Sequence, residues 1–360
     1  MSQRERIDEL AYEAWQLPEC PTKLSLFEEA VRLADLLGDI DLGYELREGL
    51  IRTATFTGRN DVQMVAFAWC IAQFDRYPGR FDESDLLWKY KWIVGNAAES
   101  PDYSRGQIEA LLDDMERRFL AAGHSLHAVH QHRRQNMVEM RDRAAAERAQ
   151  AAFLASRRDR LSDCAACVAC NTGEYHDYCG QYDQAWAAFR TVTDGKLLCQ
   201  EEPLRCLSYA LLPLLRLGQV DQARKLRKEA QRLLAKTGSA VRPAAAQITF
   251  LAIVEDLAPA RYLVRRYLPE GLTSVSLRDR LAMIKAAILA LMQLQAAGVR
   301  DFDVPRPPAG PHPSRCLDEA LAWLREEARA ISARFDARNG NDEHLRELES
   351  LPQLLELAAM

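Results

Sequence analysis

The chain contains 360 residues, 48% of which are hydrophobic, and it carries a formal net charge of −5. This acidic balance excludes a nucleic-acid-binding protein that works through bulk electrostatics, because such domains are usually strongly basic. No segment offers about 18 uninterrupted apolar residues for a membrane span, and the charged N-terminus lacks the apolar core of a signal peptide. We therefore expect a cytoplasmic protein that binds neither nucleic acid nor membranes.

Ala, Leu, Arg and Glu recur at helical spacing, without the alternation of apolar and polar residues that is typical of strands. This pattern predicts an all-α protein. Helices are expected over residues 5–17, 24–37, 41–56, 60–76, 84–97 and 105–121. A second series is expected over residues 126–141, 143–157, 163–178, 182–193, 203–217 and 220–235.

A sequence repeat lies within the second series. The segment from Gly180 to Ala185 returns 38 residues later between Gly218 and Ala223, and the first copy continues to Phe189. Ala185 and Phe189 fit the Ala-x3-Phe part of the tetratricopeptide (TPR) pattern, whose period is about 34 residues. The repeat predicts a right-handed α-solenoid, a superhelix of TPR-like helix-turn-helix repeats. Gly180 and Gly218 are expected to close the first helix of a pair with positive φ.

The chain is predicted to have three parts. The repeat array covers residues 1–300 as one elongated domain, and its last helices are expected over 243–255, 258–268 and 276–297. A Pro-rich linker or loop follows at 301–314, because this composition cannot continue a helix. Residues 315–360 are expected to form capping helices, over 315–337 and 342–358. Two alternatives for this part are a detachable partner-binding tail and an internal inhibitor that folds back over a binding groove.

Three cysteines are candidates for a metal site. Cys164 and Cys167 are three residues apart and share one face of a predicted helix, and Cys199 comes 35 residues after Cys164, just ahead of the next first helix. First helices of adjacent repeats pack side by side at about 8–10 Å, so the three thiols are expected to meet. Cys170 is not expected to join them, because it lies about 9 Å along the helix from Cys164.

His127 is the predicted fourth ligand. Ser125 and Ser162 are expected N-cap residues, and His127 and Cys164 each follow the cap by two positions. The set predicts a structural zinc site of three thiolates and one imidazole. Two alternatives stay open: the cysteines pack as small hydrophobic residues, or Cys164 and Cys167 form a redox pair. The remaining cysteines are expected to pack in the core, including Cys170 and Cys206 unless these two meet.

Two other segments contain candidate binding residues. The His-rich segment that begins at His124 is expected to line a groove, and the alternative for it is solvated helix surface. Lys89 and Lys91 alternate with aromatic residues between Trp88 and Trp92, which suits cation–π contacts. The alternative there is that the two tryptophans pack in the core and the lysines are solvated. The candidate groove residues are His124, His130, Arg133, Arg134, Lys89 and Lys91.

Motifs of phosphate binding, of nucleophilic serine and of metalloprotease helices are absent from the sequence. We therefore do not expect an enzyme. The leading hypothesis is an interaction scaffold that binds a protein or peptide on the concave face formed by the first helices. The alternatives are a regulator that responds to a ligand or peptide, and a thiol- or metal-dependent enzyme.

The chain resembles a family of bacterial TPR proteins that has no established activity, over residues 40–300. The resemblance implies the TPR fold and adds nothing about activity. The family is similar in an Asp-Cys-x-x-Cys motif followed by Cys-x-Glu-x-Pro, which falls here on 163–167 and 199–203. It therefore implies that Cys164, Cys167 and Cys199 act as a unit, whereas Cys170 and Cys179 depart from the family pattern. The stretches that carry the resemblance are 69–82, 112–118, 123–129, 161–167 and 211–218.

Overall fold

The computed structural model describes residues 2–199, 202–237, 240–302 and 316–359. In these residues the structure is helical, with one isolated β-bridge between Asp301 and Cys316. Of the linker predicted at 301–314, residues 303–314 lie outside the described residues.

The helices follow one another with short connections. Those that begin before residue 143 are α1 (Gln3–Gln16), α2 (Pro21–Leu37), α3 (Ile40–Phe56), α4 (Asn60–Arg76), α5 (Glu83–Ala97), α6 (Arg105–Ala121) and α7 (His127–Glu139). Next come α8 (Arg143–Ala155), α9 (Ala165–Tyr178), α10 (Tyr182–Thr193), α11 (Leu204–Tyr209), α12 (Leu211–Arg216) and α13 (Val220–Leu234). The last are α14 (Val241–Ile253), α15 (Leu257–Thr273), α16 (Leu277–Ala296), α17 (Leu317–Asn339), α18 (Glu343–Glu349), α19 (Leu351–Leu355) and a terminal 3₁₀ turn (Glu356–Ala359).

The chain divides into two compact units. Unit 1 contains residues 1–98, 106–132 and 156–161, and unit 2 contains residues 99–105, 133–155 and 162–360. In both units helices pack mainly against their neighbours in sequence, such as α2 on α3 in unit 1 and α9 on α10 in unit 2. In unit 2 the first helix of one pair also packs on the first helix of the next, as α14 does on α16. This arrangement agrees with the predicted α-solenoid.

Local sequence signals explain where the helices begin and end. Ser2 and Glu5 form a capping box at α1, since the Ser2 hydroxyl accepts the Glu5 N–H and the Glu5 carboxylate accepts the Ser2 N–H. Asp39 caps α3 through the N–H of Leu42. Gly180 and Gly218 both have φ of 71°, which confirms the positive φ predicted at the end of each first helix.

Proline residues account for two differences from the predicted helices. The predicted helix 203–217 is divided at Ala210 into α11 and α12, because Pro213 has no N–H to donate to the carbonyl of Tyr209. The predicted helix 342–358 is likewise divided into α18, α19 and the 3₁₀ turn, and Pro352 stands in the first turn of α19. A third proline, Pro269, is tolerated inside α15, which therefore extends to Thr273.

The C-terminal helices are bound to distant parts of unit 2. Arg334 of α17 pairs with Asp102 at 2.7 Å, and the Asn341 amide donates to the carbonyl of Met140 at 3.0 Å. Glu347 of α18 accepts from both Arg141 and Lys285, at 2.6 and 2.9 Å. These contacts connect α17 and α18 with earlier segments of unit 2. None of the described helices combines the length and the apolar character that crossing a membrane requires.

We expect Gly49→Ala to lower the free energy of unfolding by about 1–3 kcal/mol, because overpacking forces neighbouring groups to move. A Cβ atom at Gly49 of α3 would lie 2.6 Å from Cζ of Phe27 in the same unit. Urea unfolding followed by circular dichroism measures the change. Gly106→Ala is the matched control: it is also helical and in unit 1, but nothing lies within 4 Å of its added Cβ. Equal midpoints for the two variants would contradict this packing.

Candidate functional site

The structure brings the three predicted thiols together. Cys164 is the N-cap of α9, Cys167 lies in its first turn and Cys199 lies between α10 and α11. Their Sγ atoms all lie within 4.8 Å of one another, and those of Cys167 and Cys199 are 3.6 Å apart. Cys164 is exposed, whereas Cys167 and Cys199 are half-buried. We call these three residues the thiol cluster.

The cap of α9 differs from the prediction. Ser162 is not the N-cap, since α9 begins at Ala165 and the Cys164 Sγ accepts the N–H of Cys167 at 3.4 Å. The extended backbone of Cys164, with ψ of 157°, turns its side chain back over the first turn of the helix. The cysteine thus takes the capping role that serine usually has, and its sulfur faces the open N–H groups.

The dimensions of the thiol cluster suit a metal ion. A tetrahedral ion with metal–sulfur bonds of about 2.3 Å holds its sulfur ligands roughly 3.8 Å apart. The Cys167–Cys199 distance of 3.6 Å is close to this value. Burial raises the pKa of the Cys167 thiol well above its ordinary value, and the neighbouring sulfurs of Cys164 and Cys199 add to the effect. A divalent cation would reverse this by stabilising the thiolates. The cluster could therefore hold a metal ion.

A second group of potential ligands lies close by in sequence. Cys170, Glu202 and Cys206 have ligand atoms within 4.8 Å of one another, and all three residues are buried. Cys170 and Cys206 therefore meet, which is the exception to core packing that the sequence analysis left open for these two residues. The Glu202 carboxylate accepts from Arg205 at 3.1 Å and from the Cys206 N–H at 3.3 Å. This group could also hold a metal ion.

His127, the predicted fourth ligand, stands at the start of α7 in unit 1, whereas the thiol cluster belongs to unit 2. Its Nδ1 lies 3.0 Å from the Ser156 hydroxyl. Its role as a ligand stays a prediction.

The His-rich segment has an acidic partner that its local sequence does not reveal. His124 Nδ1 lies 3.1 Å from Asp159, whose carboxylate also accepts the N–H groups of Ser125 and Leu161 at 3.0 Å. Burial alone would raise the pKa of Asp159, but these three donors outweigh it and keep the pKa low. Asp159 thus anchors the loop before α7. His130 and Arg133 are half-buried, and their binding role stays a prediction.

Arg134 does not line a solvent-facing groove. Its side chain is fully buried, and the guanidinium lies 4.8 Å from the centre of the Phe153 ring and 5.5 Å from that of Tyr175. It donates to Gln150 and Thr172, and among the described residues it forms no ion pair. Burial lowers the pKa of this guanidinium to about 10. The aromatic rings therefore replace water as its surroundings.

The expectation that Lys89 and Lys91 are solvated is wrong. Both are buried, while Trp88 and Trp92 are half-buried. Lys89 pairs with Glu48 at 3.2 Å and with Asp85, and burial lowers its pKa. The Lys91 ammonium lies 3.3 Å from the centre of the Trp88 ring. Inside unit 1, nearby carboxylates stabilise Lys89 and the Trp88 ring stabilises Lys91. Composition alone predicts that both lysines are exposed to solvent.

Unit 2 contains a group of charged side chains that the sequence argument missed. Arg205 of α11 and Arg242 of α14 both reach Glu174 of α9, at 2.7 and 3.3 Å. Arg278 of α16 pairs with Glu99 at 2.7 Å and with Glu139 of α7. Their side chains are 14–27% exposed, so water reaches the group. We call the group the charged cluster; it consists of Glu99, Glu139, Glu174, Arg205, Arg242, Arg278 and the hydroxyl of Tyr209, which accepts from Arg242 at 2.8 Å.

Burial and the charged cluster together lower the pKa of one carboxylate in this region and raise the pKa of two others. Burial would raise the pKa of Glu174, but Arg205, Arg242 and Arg278 outweigh it and keep the pKa below its usual value. Asp279 has its pKa raised to about 6 by burial and by Glu99 and Glu139, against the effect of Arg242 and Arg278. One turn beyond Glu174, Asp177 has its pKa raised to about 7 by burial and by Glu174, which Arg216 only partly offsets. Both aspartates are therefore harder to ionise than exposed ones.

The spacing of charged residues in the sequence is a weak signal from which the charged cluster could have been predicted. Glu139, Glu174, Arg205, Arg242 and Arg278 follow one another at intervals of 35, 31, 37 and 36 residues. These intervals are close to the helical-repeat period. Arg205, Arg242 and Arg278 each stand second in their helices, whereas Glu139 and Glu174 lie towards the C-terminal ends of α7 and α9.

The chain was compared with models of known protein families and with curated proteins. No family model matches it, and no curated protein does so either.

We expect Arg134→Met to change the free energy of unfolding by less than about 1 kcal/mol or to raise it, because an apolar side chain often replaces a buried charge without loss. Arg134→Ala is the matched control, and the cavity it leaves should cost about 2–4 kcal/mol. Urea unfolding of the two variants gives the comparison. Equal destabilisation in both would show that the charge itself is needed.

Proposed function

We propose that this protein is an interaction scaffold whose charged cluster binds a basic segment of a protein or peptide partner. One observation carries the proposal: charged side chains from five successive first helices, α7, α9, α11, α14 and α16, meet in one partly hydrated group. Keeping several charges half-buried costs free energy of desolvation, and such groups are typical of binding sites. No catalytic motif competes with this role.

The sign of the charge supports a cationic partner. The carboxylates of Glu99, Glu139, Glu174 and Asp279 lie among the guanidinium groups of Arg205, Arg242 and Arg278, and Asp177 lies near Glu174 and Arg216. Burial, together with neighbouring acids, raises the pKa of Asp177 and Asp279, and a Lys or Arg side chain bound beside them would stabilise their ionised forms. A partly desolvated cleft of one sign also concentrates ligands of the opposite sign.

We further propose that the helix pairs are TPR-like repeats wound into a right-handed superhelix. The first helices would then line its concave face, where an extended or helical peptide can lie. The cytoplasm stays the expected location.

We infer that the ion of the thiol cluster is Zn²⁺ in a structural role. Three thiolates are soft ligands that favour Zn²⁺ over Mg²⁺ or Ca²⁺. Bound there, the ion would tie the start of α9 to the segment ahead of α11. It would therefore fix the spacing between two of the helices that contribute to the charged cluster.

The peptide proposal can be tested without a known partner. Selection from a random phage-displayed peptide library on the immobilised chain is expected to enrich sequences rich in Lys and Arg, and fluorescence anisotropy then gives the affinity of a synthetic copy. Glu174→Gln should weaken binding by about tenfold, the usual effect of losing about 1.4 kcal/mol. The control Glu147→Gln removes an exposed carboxylate of α8 in the same unit and should bind like the wild type. Enrichment of acidic peptides, or of none, would refute the proposal.

The affinity for the same basic peptide is expected to rise between pH 5.5 and pH 8. The cationic ligand favours ionised carboxylates, and Asp279 and Asp177 lose their protons near pH 6 and pH 7. Asp177→Asn should flatten the upper part of this rise. Anisotropy titrations at constant ionic strength measure it, and an affinity that falls with pH would be inconsistent with a site that attracts cations through these acids.

The metal proposal predicts about one equivalent of zinc in untagged protein, measured by plasma mass spectrometry. Cys164→Ala combined with Cys167→Ala should lose the zinc and melt at a lower temperature. Cys316→Ala, at a half-buried cysteine outside both thiol groups, should keep it. Zinc that persists in the double variant would place the ion elsewhere.

A further inference from the structure

The thiol cluster combines one exposed sulfur with two sheltered ones. Cys164 is exposed at the start of α9, where its Sγ accepts the N–H of Cys167 at 3.4 Å. Behind it, the Sγ atoms of Cys167 and Cys199 lie 3.6 Å apart, and all three sulfurs lie within 4.8 Å of one another. A solvent-accessible thiol beside a resolving cysteine is the arrangement that reacts reversibly with peroxides.

We propose that Cys164 is a site of oxidation by hydrogen peroxide and that Cys167 or Cys199 converts the product into a disulfide within the cluster. The inference deepens the proposed metal site, since the same sulfurs would hold the zinc. It does not depend on zinc being present, because the metal-free thiols have the same neighbours.

The reaction balances in two steps. The Cys164 thiolate attacks one oxygen of hydrogen peroxide, the O–O bond breaks and hydroxide leaves, so that Cys164 becomes a sulfenic acid. The thiol of Cys167 or Cys199 then attacks the sulfenic sulfur, the S–O bond breaks, a second hydroxide leaves with the proton of that thiol and an S–S bond forms. Two protons from the thiols convert the hydroxides to water. The two thiols lose two electrons, and the peroxide gains them.

The disulfide and the metal exclude each other. A thiolate, not a disulfide sulfur, is the ligand that zinc requires, so oxidation would leave one thiolate of three. Bound zinc would in turn slow the oxidation of the three cysteines, because it would hold their sulfur atoms in place and partly shield them from peroxide. A Cys164–Cys167 disulfide would thus release the segment ahead of α11 from α9, whereas a Cys164–Cys199 disulfide would keep the two joined without the ion.

Cys170 and Cys206 are less suited to this chemistry, although their thiols also meet. Both are buried, and burial raises the pKa of Cys170, with Cys206 adding to the effect. A buried thiol with a raised pKa is neither accessible nor ionised, so it reacts slowly with peroxide.

The test treats the reduced, metal-free full-length chain with hydrogen peroxide and follows its intact mass. We expect the loss of two hydrogens. Trypsin cleavage after Arg160, Arg190, Lys196 and Arg205 then places Cys164 and Cys167 in one peptide and Cys199 in another. The disulfide should map within the first peptide or between the two.

Cysteine variants show which residue acts in each of the two oxidation steps. Cys164→Ser, a conservative change at an exposed position, should slow disulfide formation by at least about tenfold, because the remaining sulfurs are sheltered. Cys167→Ser combined with Cys199→Ser should instead hold a single added oxygen on Cys164, which dimedone traps. The matched control Cys316→Ser should react at the wild-type rate. Melting curves of the reduced variants confirm that each is folded.

Two results would overturn the inference: oxidation of Cys164→Ser at the wild-type rate, or a disulfide that maps to other cysteines. Its failure is distinguishable from that of the metal proposal. If zinc binds but Cys164 does not react in the metal-free chain, the redox inference alone fails. If Cys164 reacts but an equivalent of zinc neither binds nor slows the reaction, the metal proposal alone fails. The scaffold proposal is tested separately, since its measurement is peptide affinity.

Discussion

The contact between Phe189 of α10 and the backbone of α9 at Gly173 is the constraint on which both candidate sites depend. A Cβ atom at Gly173 would lie 2.5 Å from the Phe189 ring, so only glycine allows the two helices to approach this closely. This approach fixes the rotation of α9 about its own axis. Because α9 carries two members of the thiol cluster and the central acid of the charged cluster, its rotation positions both groups.

The side chains concerned form one stripe along α9. Cys167, Cys170, Glu174 and Asp177 stand at positions i, i+3, i+7 and i+10, which share one helix face. Along this stripe the chemistry changes from soft sulfur ligands at the N-terminal end to carboxylates at the C-terminal end. A change in the spacing of α9 and α11 would therefore act on both groups, since Cys199 and Arg205 both come from the α11 side.

The fold was largely predictable because it depends on local signals. Helical periodicity, cap residues and the repeat between Gly180 and Gly218 each act within a few residues of the chain, and the predicted bounds of α4, α6 and α10 agree with the structure. The meeting of Cys164, Cys167 and Cys199 was also predictable, because repeat spacing places their helices side by side. For Cys170 and Cys206 the sequence left core packing and a meeting of the two thiols both open, because it does not show which buried side chains become neighbours.

Charged residues were the part that sequence reasoning could not place. Lys91 and Arg134 look like solvated helix positions, yet both are buried, Lys91 against Trp88 of its own helix and Arg134 against Phe153 of α8. Glu174, Arg205 and Arg242 also look like ordinary surface residues when each is considered alone. Whether a charge is solvated or paired depends on which helices become neighbours, and no local pattern contains that information.

The electrostatics of unit 2 connect its stability with the proposed partner. Glu347 and Glu174 have pKa values held low by Arg and Lys partners, so they stabilise the fold above the ordinary glutamate pKa of about 4.3, and this contribution is lost as the pH falls. Asp177 and Asp279 act in the opposite sense. Because their pKa values are raised, stability falls as the pH rises from the ordinary aspartate pKa of about 3.9 to about 7 for Asp177 and about 6 for Asp279.

At neutral pH the ionised forms of Asp177 and Asp279 therefore cost the folded state free energy, which the rest of unit 2 must offset. A cationic segment bound beside these aspartates would supply a counter-charge and reduce that cost. The free energy released would contribute directly to the affinity for the partner, because the carboxylates are already placed by the helices and need no further ordering. Carboxyl groups whose ionised form is destabilised, and which the helices hold in place, thus provide a physical basis for recognising a basic partner.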